Sequence, residues 1–266
     1  MGLFDKKYCD VCGEKIKFLG NRKLEDGNLC KDCAEKLSPW FSDRRRSTVE
    51  SIKAQLQDRE ANKAKVAAFN ATRTLGEGTL LCIDEEKRQF LVRRYGESLE
   101  NNPDVLSLSQ VKDCQVQVEQ DKDEEKTRGE DGSMVSYDPP RYTYQYTFHL
   151  SIQVDHPWFD EMRFRVNRSP VEIQTGLPIK LPGILSNANL FTPDRPDTDH
   201  SQEYQRYLAM AEEMRRTLLE KPHEEPHAPA APAPEKPRLK VQCPACSAVS
   251  YPDAKGCCPY CGQPLV

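Results

Sequence analysis

No stretch of this 266-residue chain is apolar for long enough to cross a bilayer. A spanning helix needs about 20 apolar residues, and the longest runs here, such as residues 79–83, are far shorter. Residues 1–7 lack the apolar stretch of a signal peptide. Lys6 stands where a myristoylation signal carries Ser or Thr, so Gly2 is not expected to be an acceptor. Cytoplasm is the expected location. Nucleophile elbow, P-loop and dinucleotide fingerprint are also missing. His223-Glu224-Glu225-Pro226-His227 matches the letters of a metalloprotease helix. A proline inside a helix costs about 3 kcal/mol and removes a donor, and the flanking residues are a Pro/Ala tether, so these histidines are expected to be solvated. The chain is therefore expected to be non-enzymatic, with no membrane span.

What is abundant is cysteine. Eleven are present, and eight fall in C-x-x-C pairs. Cys9-Asp10-Val11-Cys12-Gly13 and Cys30-Lys31-Asp32-Cys33 are separated by 17 residues. Two such pairs make a tetrahedral four-thiolate site, for which zinc is the expected metal. Four thiolates leave no position for a catalytic water. Cys243-Pro244-Ala245-Cys246 and Cys258-Pro259-Tyr260-Cys261, 11 residues apart, form a second set with the spacing of a minimal zinc ribbon. Cys257 would give a C-x-x-x-C pair without knuckle spacing, so Cys258 is the expected ligand. About two zinc ions per chain follow; a red protein would instead signal iron.

Between the sites the sequence predicts α+β structure. Gly13 lets the first knuckle turn, residues 16–28 read as a hairpin, and the second pair opens a short helix whose dipole favours thiolate. That order is treble-clef-like. Ser47-Thr48-Val49-Glu50 reads as a capping box for a helix over residues 48–71. Its apolar face, Val49, Ile52, Leu56, Val66 and Phe69, is interrupted by Arg59 and Lys63.

Strands are expected at 80–84, 89–94, 113–120, 142–154 and 162–166, with an acidic loop over 121–132. Asp121 to Glu125 could at most hold a hard cation weakly. A helix over 201–219 presents Tyr204, Leu208, Ala211, Met214 and Leu218 on one face. Antiparallel strands followed by one helix suit a sandwich or barrel, pleckstrin-homology-like in element order. Cys82 and Cys114 are expected to pack in its core, and Trp158-Phe159 to insert there. Residues 169–200 read as an irregular connection, and 221–238 as an extended linker. The expected domains are finger 1–40, connecting helix 41–75, β-rich domain 76–220, linker 221–240 and ribbon 241–266.

Residues 1–14, with Asn28-Leu29-Cys30-Lys31-Asp32-Cys33 and Leu37-Ser38-Pro39, resemble a family of uncharacterised bacterial proteins, found largely in Gram-positive anaerobes and defined by an N-terminal four-cysteine domain. The resemblance is specific over residues 1–75 and continues to about residue 167; it implies no activity. The C-terminal segment resembles zinc-ribbon tails of bacterial proteins, with Ser247 where the first knuckle usually has glycine, which implies a slightly altered turn. The N-terminal spacing is also that of GATA-type fingers, and Arg44-Arg45-Arg46 stands in the place of their basic tail, although the residues between the pairs do not otherwise match.

Charge is distributed unevenly: +5 over residues 1–75, −7 over 76–195 and −2 over 196–266. The acidic middle disfavours base stacking on Tyr142, Tyr144 and Tyr146, and disfavours docking of that domain on anionic lipid. These features together point to a zinc-held protein-interaction module or adaptor. The alternative is a nucleic-acid binder using the finger with Arg44, Arg45 and Arg46.

Overall fold

The computed structural model describes residues 7–179, 190–220, 241–250 and 256–265. The chain divides into two units, residues 1–220 and 221–266.

In the first unit the expected hairpin is present but short. Strand β1 (Arg22–Lys23) pairs antiparallel with β2 (Asn28–Leu29). A single helical turn, α1 (Lys31–Ala34), carries Cys33. Ile16, Leu24, Leu29 and Leu37 close over the cysteines together with Ile52 of α2 (Val49–Ala68). Full burial of one such side chain is worth about 1.5–3 kcal/mol, so the finger and helix share one apolar core. The cap of α2 is Thr48, whose Oγ1 accepts the Ser51 N–H at 3.2 Å. This corrects the capping box expected at Ser47, whose hydroxyl donates instead to the Asp43 carbonyl at 3.0 Å. Asp26 of the hairpin turn accepts the Val49 N–H at 2.7 Å and so satisfies a first-turn amide from outside the helix. Gly27 permits this approach: a Cβ there would lie 2.6 Å from Val49 Cγ2 and 2.7 Å from Asp10 Oδ2.

The buried stripe of α2 is Ile52, Gln55, Arg59, Asn62 and Val66. Its 3-4-3-4 spacing is a helical face, but its middle is polar. Arg59 does not interrupt the face as expected; it is part of it. Its guanidinium donates to Asp104 Oδ1 (2.6 Å), the Asn102 carbonyl (2.5 Å) and the Lys36 carbonyl (3.2 Å). Asn62 donates to Asn102 Oδ1 and the Pro103 carbonyl, both at 2.8 Å, and accepts the Val105 N–H at 3.1 Å. Ser38 donates to Asp104 Oδ2 at 2.7 Å. One polar network thus joins the finger, α2 and the loop over residues 102–105.

Two antiparallel sheets follow. The first runs β3 (Arg73–Leu75), β4 (Thr79–Asp84), β5 (Gln89–Arg94) and β6 (Leu106–Ser107) in that order. The second contains β7 (Val111–Arg128), β8 (Met134–Val154), β9 (Glu161–Arg165) and β10 (Val171–Thr175). Strand β8 pairs with β7 along one edge and with β9 and β10 along the other. The two sheets share a core with helix α3 (Gln202–Leu219), which buries Tyr207, Ala211, Met214 and Leu218. Tyr204 sits at its rim, edge-on to Tyr146 and Phe148 at 5.0 Å each. Strand β4 is buried on both faces. Leu81 and Ile83 enter the shared core, while Leu80 and Cys82 pack with Val66 and Phe69 at the end of α2. This explains its uninterrupted apolar sequence.

Two expectations are corrected. The acidic loop over 121–132 is instead mostly strand, since β7 and β8 continue as a ribbon to a turn at Gly129–Ser133. On the β7 side no residue from 121 to 128 is buried, so that segment carries no apolar alternation. Polar cross-strand contacts support it: Lys122 lies 3.6 Å from the Tyr142 ring centroid, and Thr143 donates to Glu125 at 2.9 Å. Residues 137–140 leave the ladder between the pairs Glu125–Arg141 and Lys126–Ser136, which accommodates Pro139 and Pro140, neither of which has an N–H to contribute. The connection over 169–200 contains β10, whose Val171 is buried and pairs with Tyr146.

Phe159 is buried and stacks on His156 at 4.1 Å, while Trp158 donates to Asp58 of α2 at 2.8 Å. Cys82 and Cys114 lie in separate clusters, and burial pushes the Cys114 thiol up to about 12. In the second unit, β11 (Val241–Gln242) pairs with β12 (Val249–Ser250). The expected linker, with His223 and His227, lies outside the described residues.

Candidate metal centres

Three of the four C-x-x-C pairs fold the same way, for a local reason. The residue after the second cysteine adopts positive φ and returns its N–H to the first cysteine's carbonyl. Gly13 does so at φ 76° to Cys9 (2.8 Å), Ser247 at φ 58° to Cys243 (2.9 Å) and Gly262 at φ 76° to Cys258 (2.8 Å). A second backbone bond closes each knuckle: Cys9 N–H to Glu14, Cys243 N–H to Ala248 and Cys258 N–H to Gln263, at 2.8–2.9 Å. Ser247 therefore keeps the ordinary turn, in a region where L-residues other than glycine are disfavoured. The fourth pair is helical. Cys30 caps α1, and its sulfur accepts the Cys33 N–H at 3.3 Å. With one helical turn there, local amides rather than a long-helix dipole favour the thiolate.

These turns bring the sulfurs together. Cys9, Cys12, Cys30 and Cys33 form one cluster and Cys243, Cys246, Cys258 and Cys261 another, with all Sγ atoms in each within 4.8 Å of one another. Cys12 and Cys30 sulfurs are 3.7 Å apart, Cys243 and Cys261 3.5 Å, and Cys246 and Cys258 3.7 Å. A disulfide would need about 2.05 Å. A tetrahedron of thiolates at about 2.3 Å from zinc has edges of about 3.8 Å, so both donor sets fit a metal of that size. Cys257 stands outside the cluster and forms a backbone bridge with Pro264.

The electrostatics fit the same reading. Burial opposes the Cys9 thiolate, but amides of Cys12, Cys30 and Val11 outweigh it and bring the group to about 7. Cys33 is driven far up by burial and by the neighbouring Cys30 and Cys12. The Tyr260 amide, joined by others, brings Cys258 to about 6 despite desolvation. The Gln263 amide favours the Cys261 thiolate, yet neighbouring Cys243 and Cys246 carry it to about 12. One thiolate per cluster makes the next unfavourable, and a divalent cation removes that conflict.

The arginine triplet divides. Arg46 is tied to Asp43 at 2.6 Å. Arg44 and Arg45 line a groove of about 700 Å³ with Arg22 and Lys23 of β1, residues that sequence reasoning did not single out. The Glu25 N–H bonds to the Ser47 carbonyl at 3.0 Å, holding the hairpin beside this turn. The residues are some 20 positions apart, so no local motif signals the meeting.

The N-terminal module is a four-cysteine finger docked on a helix. Residues 7–55 match a family model described as a domain of unknown function, DUF4428, which covers the first cysteine cluster and the first turns of α2. No curated protein and no solved structure matches the chain.

Proposed function

We propose that Cys9, Cys12, Cys30 and Cys33, and Cys243, Cys246, Cys258 and Cys261, each hold a structural zinc in a protein that acts without catalysis, as an interaction module or adaptor in the cytoplasm. The observation that carries this reading is the gathering of four sulfurs within 4.8 Å of one another in each cluster; four thiolates around one zinc leave no coordination position for water or substrate. Ser38, which lines a cleft of about 240 Å³ together with His156 and Asp58, is buried and committed to Asp104, which supports the non-enzymatic reading. Two antiparallel sheets closing on a C-terminal helix support a sandwich or barrel of pleckstrin-homology-like architecture for the middle region. The nucleic-acid alternative narrows to Arg44 and Arg45, because Arg46 has its own carboxylate.

Elemental analysis of the purified chain tests the metal assignment. About two zinc per chain are expected, with Cys12→Ser removing one and Cys246→Ser the other. A coloured, iron-loaded protein would overturn it. The adaptor reading is tested by capture from native lysate: a defined protein should be retained by the full chain and lost with either cysteine variant.

A further inference from the structure

The finger carries an apolar turn that its core does not use. Lys17, Phe18, Leu19 and Gly20 form a β-turn closed by the Gly20 N–H to the Lys17 carbonyl at 2.9 Å. Phe18 and Leu19 occupy the two apical positions and are 93% and 82% exposed. Leu19 sits at φ 60°, where such turns favour glycine or asparagine. A leucine there is strained by roughly 1 kcal/mol and gains nothing from burial. The exposed pair and the backbone outlier therefore call for the same explanation.

The cleft beside the turn is lined by Lys15, Lys17, Lys31 and Lys36 against two acids, Glu14 and Asp32. Lys15 and Lys17 are exposed beside it. Arg22 donates to the Leu19 carbonyl at 3.1 Å and continues into the groove formed with Lys23, Arg44 and Arg45. Glu25 is the single acid among the groove's lining residues. The Arg44 Nε is buried without a hydrogen-bond partner. Burial, then the charges of Arg22 and Arg45, make its protonated state less favourable, and Glu25 is one carboxylate beside four cations in the groove.

We propose that the finger docks on an anionic phospholipid surface, with Phe18 and Leu19 entering the headgroup–acyl boundary and Arg22, Lys23, Arg44 and Arg45 engaging lipid phosphates. Phosphate chemistry alone would also suit nucleic acid. The turn decides between them: Phe18 could stack on a base but Leu19 beside it could not, whereas a bilayer accepts both side chains. The acidic middle domain does not oppose this docking if the finger leads, since residues 1–75 carry +5 from their Lys, Arg, Asp and Glu side chains, and about +3 with a four-thiolate zinc site at −2.

The test uses the full metal-loaded chain and co-sedimentation with phosphatidylcholine–phosphatidylserine vesicles against phosphatidylcholine alone. Binding should require phosphatidylserine and weaken with salt. Phe18→Ser with Leu19→Ser should raise the lipid concentration for half-binding at least about tenfold. Arg44→Gln and Arg45→Gln should each raise it about fivefold. Metal content unchanged from the parent shows that each variant keeps its finger. Phe18→Trp adds a direct readout: the emission of the introduced indole should shift to the blue on mixed vesicles. Equal binding to both vesicle types, no binding to either, or binding to an oligonucleotide that exceeds vesicle binding and survives the Phe18 and Leu19 changes would each overturn the proposal.

Discussion

Arg59 of α2 and Asp104 of the loop before β6 meet at 2.6 Å, with side chains only 9% and 6% exposed. The guanidinium also holds the carbonyls of Asn102 and Lys36, and the carboxylate holds Ser38. Removing one partner strands the other charge in a poorly solvated place, which costs about 3–5 kcal/mol. Arg59→Leu is therefore expected to lower stability by that amount in denaturant titration. Arg59→Lys should recover little, because an ammonium cannot span three acceptors fixed in a planar arrangement. Asp104→Asn should cost less than Arg59→Leu, since its oxygen can still accept. A loss below about 1 kcal/mol for Arg59→Leu would show that the network contributes little beyond position.

The misreading of Arg59 shows where sequence periodicity stops. A charge on an apolar face counts as an interruption unless its partner is known, and Asp104 lies 45 residues away. The continuation of β7 over residues 121–128 was hidden for the opposite reason: none of these residues is buried, so period-two patterning has nothing to record. Arg22 and Arg44 likewise meet through pairings distant in sequence, Glu25 with Ser47 and Asp26 with Val49. The cysteine clusters were legible because their spacing is local chemistry. Cys9 to Gly13 specifies its own turn, and the same holds for Cys243 to Ser247 and Cys258 to Gly262.

Ser247 offers a stabilising change. It holds the φ 58° that Gly13 and Gly262 adopt at their own knuckles near 76°. Ser247→Gly removes a Cβ penalty of roughly 1 kcal/mol, partly offset by the greater freedom of an unfolded glycine. Metal loss from the C-terminal cluster to a competing chelator should slow by up to about fivefold. The converse change at the other knuckle, Gly262→Ser, should accelerate it. If both changes leave release unchanged, the turn does not limit metal retention.

Asp84 gives the first unit an acid-sensitive joint. Its buried carboxylate accepts the Asn70 N–H at 3.0 Å and the Lys87 N–H at 2.9 Å, linking the end of α2 to the β4–β5 turn. Burial alone would raise its pKa, but these amides and the Lys87 ammonium outweigh it and hold the group below its ordinary 3.8. The unfolded chain takes up the proton first, so the stabilisation is complete above pH 3.8 and fades as pH falls through the lower folded value. Asp84→Asn should cost about 1–2 kcal/mol at neutral pH and show a shallower loss of stability below pH 4 than the parent. An unchanged acid limb, measured by urea unfolding at stepped pH with metal content monitored, would remove Asp84 from the account.

Metal removal should affect the two units unequally. In the N-terminal finger Ile16, Leu24, Leu29, Leu37 and Ile52 form an apolar cluster around the cysteines and onto α2. Among the described residues of the second unit, only Cys243 and Cys258 are buried. A segment with so little core cannot offset chain entropy without its ion. Chelation should therefore collapse amide dispersion for residues 241–250 and 256–265 first, while Ile52 and Leu29 keep native-like shifts until the first cluster is also emptied. Readdition of zinc should restore both. Simultaneous loss of both sets would mean that the apolar cluster contributes less than the metal at the N-terminal site. Retention of the second set after complete chelation would show that residues 241–250 and 256–265 fold without an ion.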